Sequence, residues 1–100
     1  MDTIFAEATP PGRGGVSVIR LSGSEARAAL ESLAGIVSEP RKAYLRALRD
    51  GGDLIDRALV MWFPEGHSFT GEEVAELHLH GAPIIANRLT QALLSRGLRR

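Results

Sequence analysis

The sequence predicts an α+β two-layer sandwich: a mixed β-sheet with two helices on one face. Three observations predict it. Five extended segments and two helix-period segments follow one another in the order β-β-α-β-β-β-α. Asp50-Gly51-Gly52-Asp53 is a hairpin signal that makes two of the strands neighbours. Gly35 and Gly97 stand where each helical stripe stops, as left-handed terminators do.

Thr3 to Ala8 reads as a short strand with Ile4 and Phe5 apolar. Pro10-Pro11-Gly12-Arg13-Gly14-Gly15 breaks it into a shaped loop, since proline fixes φ and glycine opens it. Val16 to Leu21 is rich in β-branched residues and forms the second strand. Ser22 followed by Glu25 has the form of a capping box. Ala26, Ala29, Leu30 and Leu33 then share one helical face. Lys42 to Arg49 and Leu54 to Phe63 are the hairpin strands. The run Ala58 to Phe63 is apolar enough to be covered on both faces. Glu73 to His80 alternates strictly: Ala75, Leu77 and Leu79 face one way, Val74, Glu76, His78 and His80 the other. Pro83 suits the first turn of a last helix whose stripe is Ile85, Leu89, Ala92 and Leu93.

One hundred residues suit one domain, 1–100, with a modest core. Twelve basic and twelve acidic residues leave no formal charge, which argues against a free-standing electrostatic binder of nucleic acid. The absence of cysteine excludes disulfide scaffolds, thiolate metal sites and thiol nucleophiles. No apolar run reaches membrane-spanning length, and no basic leader opens the chain, so a cytoplasmic location is expected. The chain stops directly after its second helix with no returning strand, so either a truncated chain or a disordered continuation is expected.

Several residues are candidates for chemistry. The glycine-rich loop lacks the lysine and the following helix of a phosphate loop. Arg20 shares a strand face with Val16 and Val18, and Glu76 lies in a row with Val74 and His78. Either the two form an ion pair across the sheet or are simply exposed, or they wall a polar pocket with one cationic and one anionic side. His78 and His80 have chelating spacing, but a metal needs further ligands and only His67 or an acid elsewhere is on offer. No metal site is therefore assigned. Ser68 and Thr70 beside His67 lack a nucleophile elbow, and no catalytic residue is assigned. Arg41, Lys42, Arg46 and Arg49 form one basic cluster and Arg96, Arg99 and Arg100 another, each a solvated face or a tRNA-facing patch.

Asp2-Thr3-Ile4, Ala8-Thr9-Pro10-Pro11-Gly12-Arg13-Gly14-Gly15-Val16 and Ile19-Arg20-Leu21-Ser22-Gly23 resemble the opening of the tRNA-modifying GTPase family called MnmE or TrmE. The resemblance continues through Trp62-Phe63-Pro64, Ser68-Phe69-Thr70-Gly71-Glu72-Glu73-Val74, Glu76-Leu77 and His80-Gly81. It implies an N-terminal domain that binds a tetrahydrofolate one-carbon donor (5-formyl- or methylene-tetrahydrofolate) and mediates homodimerisation. The implied fold is that of the folate-binding domain of T-protein-like proteins. Arg20 and Glu76 fall on family folate contacts, while a further lysine contact lies beyond residue 100. The resemblance also implies a longer chain with helical and G domains, using GTP, magnesium and potassium. With the flavoprotein MnmG (GidA), that chain modifies C5 of the wobble uridine of tRNA. The P-loop and the C-terminal cysteine of the family are absent here, so this stretch alone is not expected to hydrolyse GTP. The alternative is a purely structural dimerisation or tRNA-contact module with no ligand of its own.

Overall fold

The structure is a computed structural model that describes residues 2–8, 15–66 and 71–100. The strands are β1 (Ile4–Glu7), β2 (Val16–Ser22), β3 (Tyr44–Asp50), β4 (Asp53–Phe63) and β5 (Val74–His80). The helices are α1 (Ala26–Ala34) and α2 (Pro83–Ser95). The strands form a single five-stranded sheet in the order β1-β2-β5-β4-β3. The α+β two-layer arrangement is the expected one. The sheet, however, is antiparallel at every strand pairing rather than mixed. β5 enters between β2 and β4, running against both. The parallel element among the described residues is an isolated bridge between Ile4 and Arg99. There the Phe5 N–H donates to the Arg99 carbonyl (2.7 Å) and the Arg99 N–H to the Thr3 carbonyl (3.0 Å).

Alternation decides which face is covered. Ile19 pairs with Leu77, Leu77 with Val60, and Val60 with Tyr44, so these side chains lie in one row on the helix side. α1 packs on β3, β4 and β5, and α2 on β4 and β5. The core between the layers joins Leu21, Leu77, Leu79, Val60 and Trp62 to Leu30, Leu33, Leu89 and Leu93, all buried. Burying a side chain of this size contributes roughly 1.5–3 kcal/mol each. No helix among the described residues covers the other face. The apolar run of β4 is therefore covered on one side only, not on both: Leu59 is 45% exposed, and Met61 and Phe63 are half-buried.

The capping box at Ser22 and Glu25 does not form. α1 starts one turn later, at Ala26, without a side-chain cap from its own N-cap residue Glu25. Its free N–H groups are met from elsewhere in the fold. Thr3 Oγ1 accepts the Glu25 N–H (3.0 Å), and the Glu73 carboxylate accepts the Arg27 N–H (2.8 Å). An anion at a helix N-terminus is well placed for the helix dipole. Ser22 instead donates its hydroxyl to Glu72 (3.0 Å). Gly23 makes this junction possible. Its φ is +136°, and a Cβ there would lie 2.7 Å from Thr3 Oγ1 and 2.8 Å from Thr3 Cα.

The hairpin turn at Gly51-Gly52 joins β3 to β4, with Asp50 opposite Asp53. The pairing then steps from Arg49–Leu54 to Leu48–Asp56, leaving Ile55 as an extra residue in β4. Arg96 ties the far side together: it donates to Ser32 Oγ (2.7 Å), Asp50 (3.1 Å) and the Ala92 carbonyl (2.9 Å).

Candidate binding face

The uncovered sheet face carries the polar residues singled out in the sequence. Arg20 on β2 is the direct register partner of Glu76 on β5, and Val18 is the partner of His78. Arg20 Nε and Nη2 both donate to Glu76 Oε2, at 2.9 and 2.8 Å. His78 Nε2 lies 3.1 Å from Glu76 Oε1. Glu76 is only 8% exposed, so its two oxygens depend on these partners. Burial pushes the carboxyl pKa up. The hydrogen bonds from His78 and Arg20, with the positive charge of Arg20, outweigh that, and the net effect is a lowered pKa. Glu76 is thus a carboxylate that only accepts.

The structure therefore brings Arg20 and Glu76 together, on one face and in contact. The ion-pair alternative is the one this geometry shows. Apolar side chains surround it: Ile4, Val16, Leu45 and Leu59 are each more than 40% exposed. Two clefts flank the trio. One of about 220 Å³ is bounded by β1 residues with Arg20 and Ser22. Another, of about 270 Å³, is lined by Val16, Leu45, Arg57, Leu59, His78 and His80 among others. A roomier hollow of about 380 Å³ lies away from these groups, between the β3–β4 turn and Ile84, Asn87, Arg88 and Gln91 of α2.

Other candidates resolve differently. The Pro10–Gly14 stretch, His67, Ser68 and Thr70 lie outside the described residues. Among the described residues no group of three or more His, Asp or Glu side chains could hold a metal. His80 does not join His78. Its Nδ1 lies 2.9 Å from Asp56 Oδ1, and its backbone N–H donates to Asp56 Oδ2 (2.9 Å). Asp56 carried no signal in the sequence beyond being a polar residue in β4. The basic clusters are partly engaged within the chain. Lys42 pairs with Glu39 (3.1 Å), a hydrogen bond that raises the lysine pKa. Arg46 donates to the Ile36 carbonyl (3.0 Å) and lies over the Tyr44 ring, and Arg99 pairs with Asp2. No helix among the described residues is long and apolar enough to cross a membrane.

Relatives match this chain over nearly its whole length. The tRNA modification GTPase MnmE of Paracoccus denitrificans is 83% identical over 100 residues, covering all of this chain and 24% of that protein. The MnmE proteins of Phenylobacterium zucineum and Coxiella burnetii are 51% and 45% identical. Each covers 98% of this chain, which spans 22% of either protein. The chain thus spans about a quarter of the length of the curated relatives it matches. Residues 3–100 match the family model described as the GTP-binding protein TrmE N-terminus. The chain belongs to that family.

Proposed function

We propose that this chain is the folate-binding and homodimerisation portion of a GTPase that modifies C5 of the wobble uridine of tRNA. The observation that carries the reading is the open sheet face, where Arg20, Glu76 and His78 form a polar centre inside an apolar surround. The family membership and the identity of the relatives as tRNA modification GTPases support the tRNA-modifying GTPase context. A reduced pterin offers ring faces that stack on apolar side chains, with an amino group and a ring N–H on one edge. The exposed leucines and valines suit its faces. The side-chain exposures of Arg20 and Glu76 are 36% and 10%, so Arg20 is the side chain a ligand reaches first. Its planar fork of donors matches folate carboxylates. Three of the roughly four acceptor positions of Glu76 are engaged by Arg20 and His78, which leaves about one for the pterin edge. Glu76 also fixes the guanidinium. Bound 5-formyl- or methylene-tetrahydrofolate would supply the one-carbon unit, and the protein would supply position and charge.

The same face is the surface offered to a second copy. Soluble monomers seldom leave a contiguous apolar sheet face uncovered. GTP, magnesium, potassium, the flavoprotein MnmG (GidA) and tRNA belong to the full-length protein in this reading, which acts in the cytoplasm.

Titration calorimetry of 5-formyltetrahydrofolate against the full-length dimer tests the ligand assignment. Arg20→Ala and Glu76→Ala should each weaken binding by tenfold or more. Unchanged affinity in both rejects the site. A structural module without a ligand is the second reading, favoured by how fully Glu76 is already engaged within the chain. Folate protection against thermal unfolding separates the two, because a ligand selective for the native state raises its stability.

A further inference from the structure

Asp56 and His80 form a pair that the folate reading does not use. The Asp56 side chain is 9% exposed and the His80 side chain 71%. A nearly buried carboxylate therefore grips an open imidazole. It does so from both sides of the residue: Oδ2 takes the His80 backbone N–H at 2.9 Å, and the ring Nδ1 lies 2.9 Å from Oδ1 and 3.1 Å from Oδ2. The backbone bond alone would secure the end of β5. The ring contact adds little burial, so strand closure does not account for it. The extra residue Ile55 immediately precedes Asp56. Bulges of this kind re-aim neighbouring side chains and recur beside functional sites.

The two histidines on β5 differ in a chemically useful way. A carboxylate accepts, so each ring nitrogen facing one carries the proton. His78 presents Nε2 to Glu76, and His80 presents Nδ1 to Asp56. In their neutral forms the two rings are consequently held in opposite tautomers. The bare nitrogen of a neutral His80 ring is then Nε2, and His80 lines the cleft of about 270 Å³ together with Val16, Leu45 and Leu59.

We propose that His80, set in the Nδ1–H tautomer by Asp56, is a binding group of this cleft, with Nε2 accepting a hydrogen bond from an apolar ligand that bears an O–H or N–H donor. Asp56 is the positioning residue. The arrangement is that of a carboxylate-oriented imidazole with its second nitrogen free. The cleft belongs to the same open sheet face as the proposed folate site, but the His80 assignment does not require that folate binds there.

Long-range ¹⁵N–¹H spectra of the labelled protein above the histidine titration range decide the first half. His80 should show a protonated Nδ1 and a bare Nε2, and His78 the reverse. A protonated Nε2 on neutral His80 overturns the proposal. In Asp56→Asn the His80 signals should move toward the tautomer mixture of a free imidazole. The wild-type spectrum decides the point even if that variant folds poorly. Phenol, an apolar ring with one O–H, probes the second half. Titration should shift His80 Nε2 and the Leu59 methyl groups together in a saturable way, and His80→Ala should abolish the Leu59 response. Absence of a saturable shift at His80 also overturns the assignment. Failure of folate to bind in the same samples would bear only on the separate folate reading.

Discussion

Arg20 and Glu76 stand directly opposite one another on adjacent antiparallel strands, with two guanidinium nitrogens on a single carboxylate oxygen. Removing the guanidinium leaves a carboxylate that is 8% exposed and still in contact with His78. Breaking a fully buried pair costs about 3–5 kcal/mol, but Arg20 is partly solvated, so Arg20→Ala should cost about 1–2 kcal/mol. Urea unfolding measures this. The double variant Arg20→Ala/Glu76→Gln should be less destabilised than the sum of the singles, since the charge left unpaired is gone.

The lowered pKa of Glu76 has a pH signature. A carboxyl whose folded pKa lies below its unfolded value of about 4.3 stabilises fully above that value. The contribution is lost as pH falls through the folded pKa. The stability difference between the wild type and Glu76→Gln should be constant near neutrality and shrink below about pH 4. A difference independent of pH down to acid unfolding would contradict the coupling.

Gly23→Ala should be more damaging than Gly51→Ala. The new methyl would meet Thr3 backbone and hydroxyl at under 3 Å, at a φ that side chains rarely adopt. The expected cost is about 2–3 kcal/mol. Gly51→Ala has a positive φ but open space, and should cost only about 1 kcal/mol. Thermal or urea midpoints rank the two.

Glu73 caps α1 from 46 residues away. Glu73→Ala should lower stability by about 1 kcal/mol and speed amide exchange at Arg27, whereas Glu73→Gln keeps an acceptor and recovers part of the loss. Equal exchange in all three proteins would show that the cap is dispensable.

The element order and the inward rows were legible because alternation and helical stripes are local. Ala75, Leu77 and Leu79 sort onto one face of β5 from their spacing alone, and the structure keeps them there. That same parity put Glu76, His78 and His80 on the other face. What spacing does not encode is which strand lies next to which. Arg20 meets Glu76 only because β5 inserts between β2 and β4. Ser22 and Glu25 satisfied a local capping pattern, yet Thr3 and Glu73 were better placed once the chain had folded. Asp56 was invisible for a further reason: the extra residue at Ile55 alters the strand register, and no propensity marks it.

The bridge between Ile4 and Arg99 brings the first strand and the residues after α2 side by side. A strand at the rim of a sheet is a template for unwanted pairing with another chain, and this contact occupies part of the outward row of N–H and C=O groups on β1. The rim at β1 is thereby partly shielded from edge-to-edge association.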